Sequence, residues 1–193
     1  MAGRPDKRAS RRSAPAEAED DAHPLIVPRN DRDLVPVAPA RIRKLRRHLI
    51  EALRAAAPKA GKADAPPPLA GFIARVALAA CALCRGWCCR KGGEHAYLDE
   101  RTLARICRAT PGLSARAILR LYTDRVPAQA YEGSCIFHAR QGCTLAPDQR
   151  SDVCNNYFCG GLGAYVTTAD PTQPVTIFAG EGKQLRSSPT MRP

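Results

Sequence analysis

Eight cysteines in three groups are the residues of this chain best suited to chemistry. The first group reads Cys81-Ala-Leu-Cys84-Arg-Gly-Trp-Cys88-Cys89, four thiols in nine residues, and two pairs follow, Cys135 with Cys143 and Cys154 with Cys159. Thiolates are the preferred ligands of soft and borderline metals. Four of them close a tetrahedral zinc site, and the same donor set holds iron–sulfur clusters. Cys81 and Cys84, three apart, fall on one helical face or in one turn and can chelate together. Cys88 and Cys89 are neighbours, and neighbouring side chains rarely aim at one ion. One thiol of the first group therefore serves a different centre from the others or stays free, and the late pairs complete what the first group begins. Eight thiols suit two tetrahedral ions, a thiolate-bridged pair, or one iron–sulfur cluster with thiols to spare. The ninth, Cys107, stands alone after Ile106 on a predicted helix and reads as a small buried apolar residue. His95 and His138 lie near the cysteines in sequence, as do Glu132 and Asp152. Histidines beside such loops are more often supporting or surface groups than ligands, and carboxylates there are more often surface groups than bases. The chain shows no glycine-rich phosphate loop, no His-Glu-x-x-His and no Ser/His/Asp arrangement, so no enzyme class is indicated.

Composition narrows where such thiols work. The N-terminus, Met-Ala-Gly-Arg-Pro-Asp-Lys-Arg, has no apolar run behind its charges, unlike a secretory signal, and the longest apolar stretch, Val76 to Leu83, is too short for a membrane span. The expectation is a cytoplasmic protein with no membrane association, in which clustered cysteines are metal or redox groups rather than disulfide staples. The formal charge is +12 over 193 residues. Residues 1–64 carry 15 basic and 9 acidic side chains, and residues 65–193 carry the same numbers. Charge spread so evenly along the chain argues against a dedicated nucleic-acid protein.

The elements that must position the thiols are mostly helical. Residues 1–39 mix Arg, Asp, Glu, Ala and Pro without period and read as a disordered tail. Over 40–57, Ile42, Leu45, Leu49, Ile50 and Leu53 recur at helical spacing opposite Arg41, Arg43, Lys44, Arg46, Arg47 and Arg54. The simplest reading is a surface helix docked on a small domain; the alternative is a binding module that uses basic helix 41–57 to reach nucleic acid or a protein. Pro58 and Pro66-Pro67-Pro68 make 58–68 a linker, and the cysteine domain spans 69–165. Leu69–Leu83 suits a helix delivering Cys81 and Cys84. Two more follow, over Glu100–Ala109 capped by Asp99 and Ala115–Arg125 capped by Ser114. Gly160, Gly161 and Gly163 read as a turn away from the domain, Pro174–Phe178 as one strand, and 166–193 as a C-terminal extension. The predicted class is a mainly α, small metal-stabilised domain with irregular cysteine-bearing loops.

The order Cys81-x₂-Cys84-x₃-Cys88-Cys89, a helical spacer, then Cys135, Cys143 and Arg150-x₃-Cys154-x₄-Cys159 resembles the YkgJ-type cysteine-cluster family, the zinc- or iron-chelating CxxCxxCC domain. The resemblance covers residues 78–162. Ser151 and Asn155 stand where that family tends to have Pro and Arg. It implies metal ligation by Cys81, Cys84, Cys88, Cys89, Cys135, Cys143, Cys154 and Cys159, with Zn²⁺ or iron bound, the iron as an ion or an iron–sulfur cluster. The functional expectation is a metal-binding cysteine-cluster protein, with an iron–sulfur redox or maturation protein as its rival.

Overall fold

The computed structural model describes residues 22–56, 69–180 and 184–193. The tail expected over 1–21 and the proline linker lie outside these. Helix α1 (Pro39–Ala56) forms where the apolar period predicts it, and its buried residues are Leu45, Leu49, Ala52 and Ala56. Each follows the last by three or four positions, so they make one stripe. Helices α3 (Glu100–Ala109) and α4 (Ala115–Thr123) present matching stripes. Asp99 caps α3 by accepting from the Thr102 amide at 2.8 Å, and Ser114 caps α4 by accepting from the Ala117 amide at 3.2 Å. The three helices close a core around Leu98, Leu103, Ile118, Tyr122, Ile136 and Phe137. Helix α1 is thus no docked accessory. It packs against both α3 and α4, so the core that holds Cys89, Cys135 and Cys143 includes residues before Leu69.

A second core forms around helix α2 (Gly71–Cys84) and a sheet. Strand β1 (His23–Val27) pairs in parallel with β6 (Val175–Ala179), Leu25 opposite Ile177 and Val27 opposite Ala179, and β7 (Arg186–Ser187) pairs antiparallel on the far side of β6. Leu25, Val27, Val175, Ile177 and Ala179 face Phe72, Val76 and Ala80 of α2 and Leu162 and Tyr165 of helix α6 (Gly160–Thr168). Two expectations are corrected here. From residue 22 the N-terminal segment is structured, and the C-terminal extension supplies the end of α6, the strand expected over Pro174–Phe178 (β6) and a further strand, β7, after Gly180. The fold is mixed α/β, not mainly α. Small pairings complete it: β2 (Leu34–Pro36) with β3 (Gln129–Tyr131), and β4 (His138–Ala139) with β5 (Gly142–Cys143). The remaining helix, α5 (Asp152–Asn156), is short.

The glycines after Cys159 begin α6 instead of turning the chain away, and β1 passes against the helix at Gly161. A Cβ on Gly161 would collide with the Ile26 carbonyl oxygen, a backbone atom that cannot rotate away. Gly161→Ala would gain about 1 kcal/mol of helix propensity but would have to part α6 from β1, an overpacking that costs about 1–3 kcal/mol. The expected result is a lower melting temperature, by several degrees at about 2–4 °C per kcal/mol for a chain of this size. An unchanged or raised melting point would show that β1 does not seat on α6.

Candidate metal centre

The first cysteine group is shaped by the end of α2. The helix carries Cys81 and Cys84 on its last turn and stops at Arg85, whose φ of 54° and ψ of 39° are left-handed, followed by Gly86 at 69° and 41°. These two residues turn the chain back, so that the Trp87 amide donates to the Cys84 sulfur at 3.4 Å. Arg85 bears the cost of a positive φ that glycine avoids. Gly86 has a second constraint, since a Cβ there would strike the His138 ring. A 3₁₀ turn, Trp87–Lys91, then carries Cys88 and Cys89. With three residues per turn, successive side chains diverge by about 120°. The two thiols nevertheless lie within hydrogen-bonding reach of each other.

The late cysteines are brought in by backbone pairing. The Cys135 amide donates to the Cys89 carbonyl at 2.8 Å and the Ile136 amide to the Gly93 carbonyl at 2.8 Å. A Cβ on Gly92 would press on Cys135, so this approach needs a glycine. Cys143 lies opposite His138 in the β4–β5 pair. Ser151 caps α5 by accepting from the Cys154 amide at 3.0 Å. Cys159 is the N-cap of α6.

Electrostatic proximity gathers the eight thiols into two sets of four that meet at Cys88, whose charge acts on Cys81 and Cys84 and also on Cys89 and Cys154. Burial pushes Cys81 up to about 11, and the charges of Cys88, Cys84 and Cys159 add to the effect. Cys84 is also raised by burial, opposed by amide hydrogen bonds from Trp87 and Gly86, and it too feels Cys88 and Cys159. Cys135, pushed up to about 12 by burial, feels Cys143 and Cys154, while Cys89 feels Cys135 and Cys143. The sets are Cys81, Cys84, Cys88 and Cys159, and Cys89, Cys135, Cys143 and Cys154. Packing divides them the same way. Cys84 and Cys159 belong to the α2–α6–sheet core, and Cys89, Cys135 and Cys143 to the α1–α3–α4 core. The join is Cys88–Cys89: hydrogen bonding from Cys89 holds Cys88 down to about 7 and Cys89 well above the ordinary thiol value. All nine cysteines are free thiols. Among the described residues, no three Cys, His, Asp or Glu side chains stand gathered as a ready coordination shell.

The other candidates separate clearly. Cys107 is exposed, not a buried apolar residue. Leu103 and Ile106 take the inward stripe of α3 and leave position 107 outside. His95 has its ring 5.8 Å from that of His48 and 5.3 Å from that of Tyr97, and its Nδ1 accepts the Tyr97 amide at 3.0 Å. Asp152 pairs with Arg105 at 3.2 Å, and Glu132 is exposed. His138 is buried, with Nδ1 2.7 Å from the Ser134 hydroxyl and its ring 4.6 Å from that of Tyr131. Burial holds it down to about 4, hence neutral, and its Nε2 has no well-aligned hydrogen-bond partner among the described residues. One residue escapes sequence reasoning. Tyr97 is raised by burial and then by the charges of Cys154, Cys88 and Cys135, so its phenol lies between the two sets. It reaches there through consecutive left-handed residues, Ala96 (φ 50°) and Tyr97 (φ 55°), a conformation that no glycine signals in advance.

No family model, curated protein or solved structure matches this chain. Among the described residues, no helix is long and apolar enough to cross a membrane.

Proposed function

We propose that this is a metal-binding protein in which two four-thiol sets, Cys81/Cys84/Cys88/Cys159 and Cys89/Cys135/Cys143/Cys154, each take one zinc or iron ion. The observation that carries the reading is the packing of Cys84 and Cys159 on one core and of Cys89, Cys135 and Cys143 on the other; Cys88, which acts on thiols of both sets, is assigned to the first by its effect on Cys81 and Cys84. Amide donation to the Cys84 sulfur adds support, because N–H groups aimed at a sulfur stabilise its anionic, metal-ligating form. Burial keeps the metal-free Cys81 and Cys135 thiols protonated, so loading draws each set together and releases protons. A four-thiolate shell has no open position, so with zinc the role is structural. Iron would add electron transfer, with potential set by burial and N–H···S bonds. Free thiols in this number belong in a reducing compartment such as the cytoplasm.

Anaerobic purification followed by elemental and acid-labile sulfide analysis tests this. About two zinc or two iron ions per chain, without sulfide, are expected. Iron with matching sulfide would replace the two-ion reading by an iron–sulfur protein. A chain that purifies metal-free and melts identically with and without added zinc would overturn metal binding altogether.

A further inference from the structure

The basic residues of α1 are spread along the sequence, but the fold concentrates them with those of α4. Arg46 lies on the flank of α1 facing α4, where it meets Arg116 and Arg120, which stand one helical turn apart on one face. With Leu119 and Thr123 these three guanidiniums line a hollow of about 270 Å³. No carboxylate lines it. Ion pairs occupy other arginines, Arg29 with Asp31, Arg41 with Glu94 and Arg105 with Asp152, and among the described residues none includes Arg46, Arg116 or Arg120. Glu51 and Asp124, the acidic residues of α1 and of the end of α4, are exposed outside the lining. Three guanidiniums around one concavity without an internal counter-charge repel one another, and an external anion relieves that repulsion. Arg43, Arg47 and Arg54 continue the positive surface on the solvent side of α1, all exposed. From Arg43 to Arg54 is about 16 Å at 1.5 Å per residue.

We propose that this α1–α4 face binds the phosphate backbone of a nucleic acid, with one phosphate seated among Arg46, Arg116 and Arg120. Guanidiniums suit phosphate oxygens through paired N–H donors. A mononucleotide would use the hollow but not the row beyond it, whereas a strand spans both. A lipid surface is disfavoured because the apolar stripe of α1, Leu45 and Leu49, is locked in the core and cannot insert. Backbone contacts of this kind fix position without reading sequence. No cysteine lines the hollow, so the inference stands apart from the metal reading.

The test is fluorescence anisotropy of fluorescein-labelled 20-mers, single-stranded RNA and duplex DNA, with the full chain at 50–200 mM NaCl. Deleting α1 is no test, since α1 builds a core. The triple variant Arg46→Gln/Arg116→Gln/Arg120→Gln removes the hollow's charges and is compared with Arg101→Gln/Arg140→Gln/Arg186→Gln, which removes three exposed charges elsewhere. Binding by the parent chain should weaken steeply with salt. The hollow variant should lose at least about tenfold at 100 mM salt and flatten the log–log salt slope by about 2–3, at about 0.7–0.9 per phosphate contact. The control should change less than about threefold, and both variants should melt like the parent. Equal losses in the two variants would reduce the effect to net charge and overturn the site. So would absence of binding at 50 mM salt, displacement by ATP at concentrations below that of competing oligonucleotide phosphate, or equally tight binding of poly-glutamate.

Discussion

If each thiol set holds one ion as proposed, Cys84→Ser is expected to cost the protein one of the two and leave the other in place, and Cys154→Ser is expected to remove the other one. Serine is a poor ligand for zinc or iron at neutral pH because its hydroxyl stays protonated and its oxygen is hard. Cys84 belongs to the set completed by Cys81, Cys88 and Cys159, and Cys154 to the set completed by Cys89, Cys135 and Cys143. A structural zinc site contributes on the order of 10–16 kcal/mol of apparent folding energy, against a total stability of about 5–15 kcal/mol for ordinary domains. Either loss should therefore unfold at least the core the set rests on. In Cys84→Ser, amide exchange should rise in α2, α6 and β6; in Cys154→Ser, in α3, α4 and the Cys135–Cys143 loop. Cys107→Ser, at an exposed position outside both sets, should keep two ions and the parental melting point. Metal-to-protein ratios, thermal melts and exchange maps read all three variants. Full metal content in both set variants would sink the metal reading. Loss of both ions from either one would sink the division into two sets and put a single coupled cluster in its place.

What the sequence made legible follows from how local each signal is. Helices α1, α3 and α4 carry their own period and caps, so Leu45–Leu49, Asp99 and Ser114 could be read without the rest of the chain. The proposed assignment of Cys88 and Cys89 to different centres also starts from a local signal, since neighbouring side chains rarely aim at one ion. The company each thiol keeps was not legible. Cys159 joins Cys81 and Cys84 only because α6 packs with α2 on one sheet, a contact between residues some eighty positions apart. Helix α6 was hidden by its glycines, of which Gly161 is required by the passage of β1 and not by any turn. Likewise the arginine hollow takes Arg46 from one helix and Arg116 and Arg120 from another. An even charge count along the chain cannot reveal it.

Cys88–Cys89 then has a role beyond supplying ligands. The two cores share few elements, and this dipeptide carries one thiol of each set, so a filled centre would fasten one core to the other at a single peptide bond. The backbone already makes related ties nearby: the Asn30 amide donates to the Cys84 carbonyl at 2.9 Å, and the Cys135 amide to that of Cys89 at 2.8 Å. The first of these runs from the chain just after β1, so the strand concealed in an apparently tail-like segment bears directly on how Cys84 is held.

Removing the inward side chains of that strand should therefore have an effect out of proportion to its length. Leu25 and Val27 are each 2% exposed, while Ile26 between them is 64% exposed. In Leu25→Ala/Val27→Ala, the leucine truncation should cost about 2–5 kcal/mol and the loss of two valine methyls about 1–2 kcal/mol more, at roughly 0.8 kcal/mol per buried carbon. The total rivals the stability of many domains. Ile26→Ala removes as many carbons as the leucine truncation alone, from the same strand on its solvent side, and should cost under about 0.5 kcal/mol. The double variant should melt far below the parent and open first in α2, α6 and the sheet. Because Arg29 also donates to the Leu83 carbonyl at 3.3 Å, the loop holding Cys84 loses its backing as well. Metal bound by the Cys81/Cys84/Cys88/Cys159 set should then become easier to strip with a chelator, while the other set holds its ion. If the double variant and Ile26→Ala both melt with the parent, residues 22–39 are the tail their composition suggests, and β1 supports neither the sheet nor the thiols.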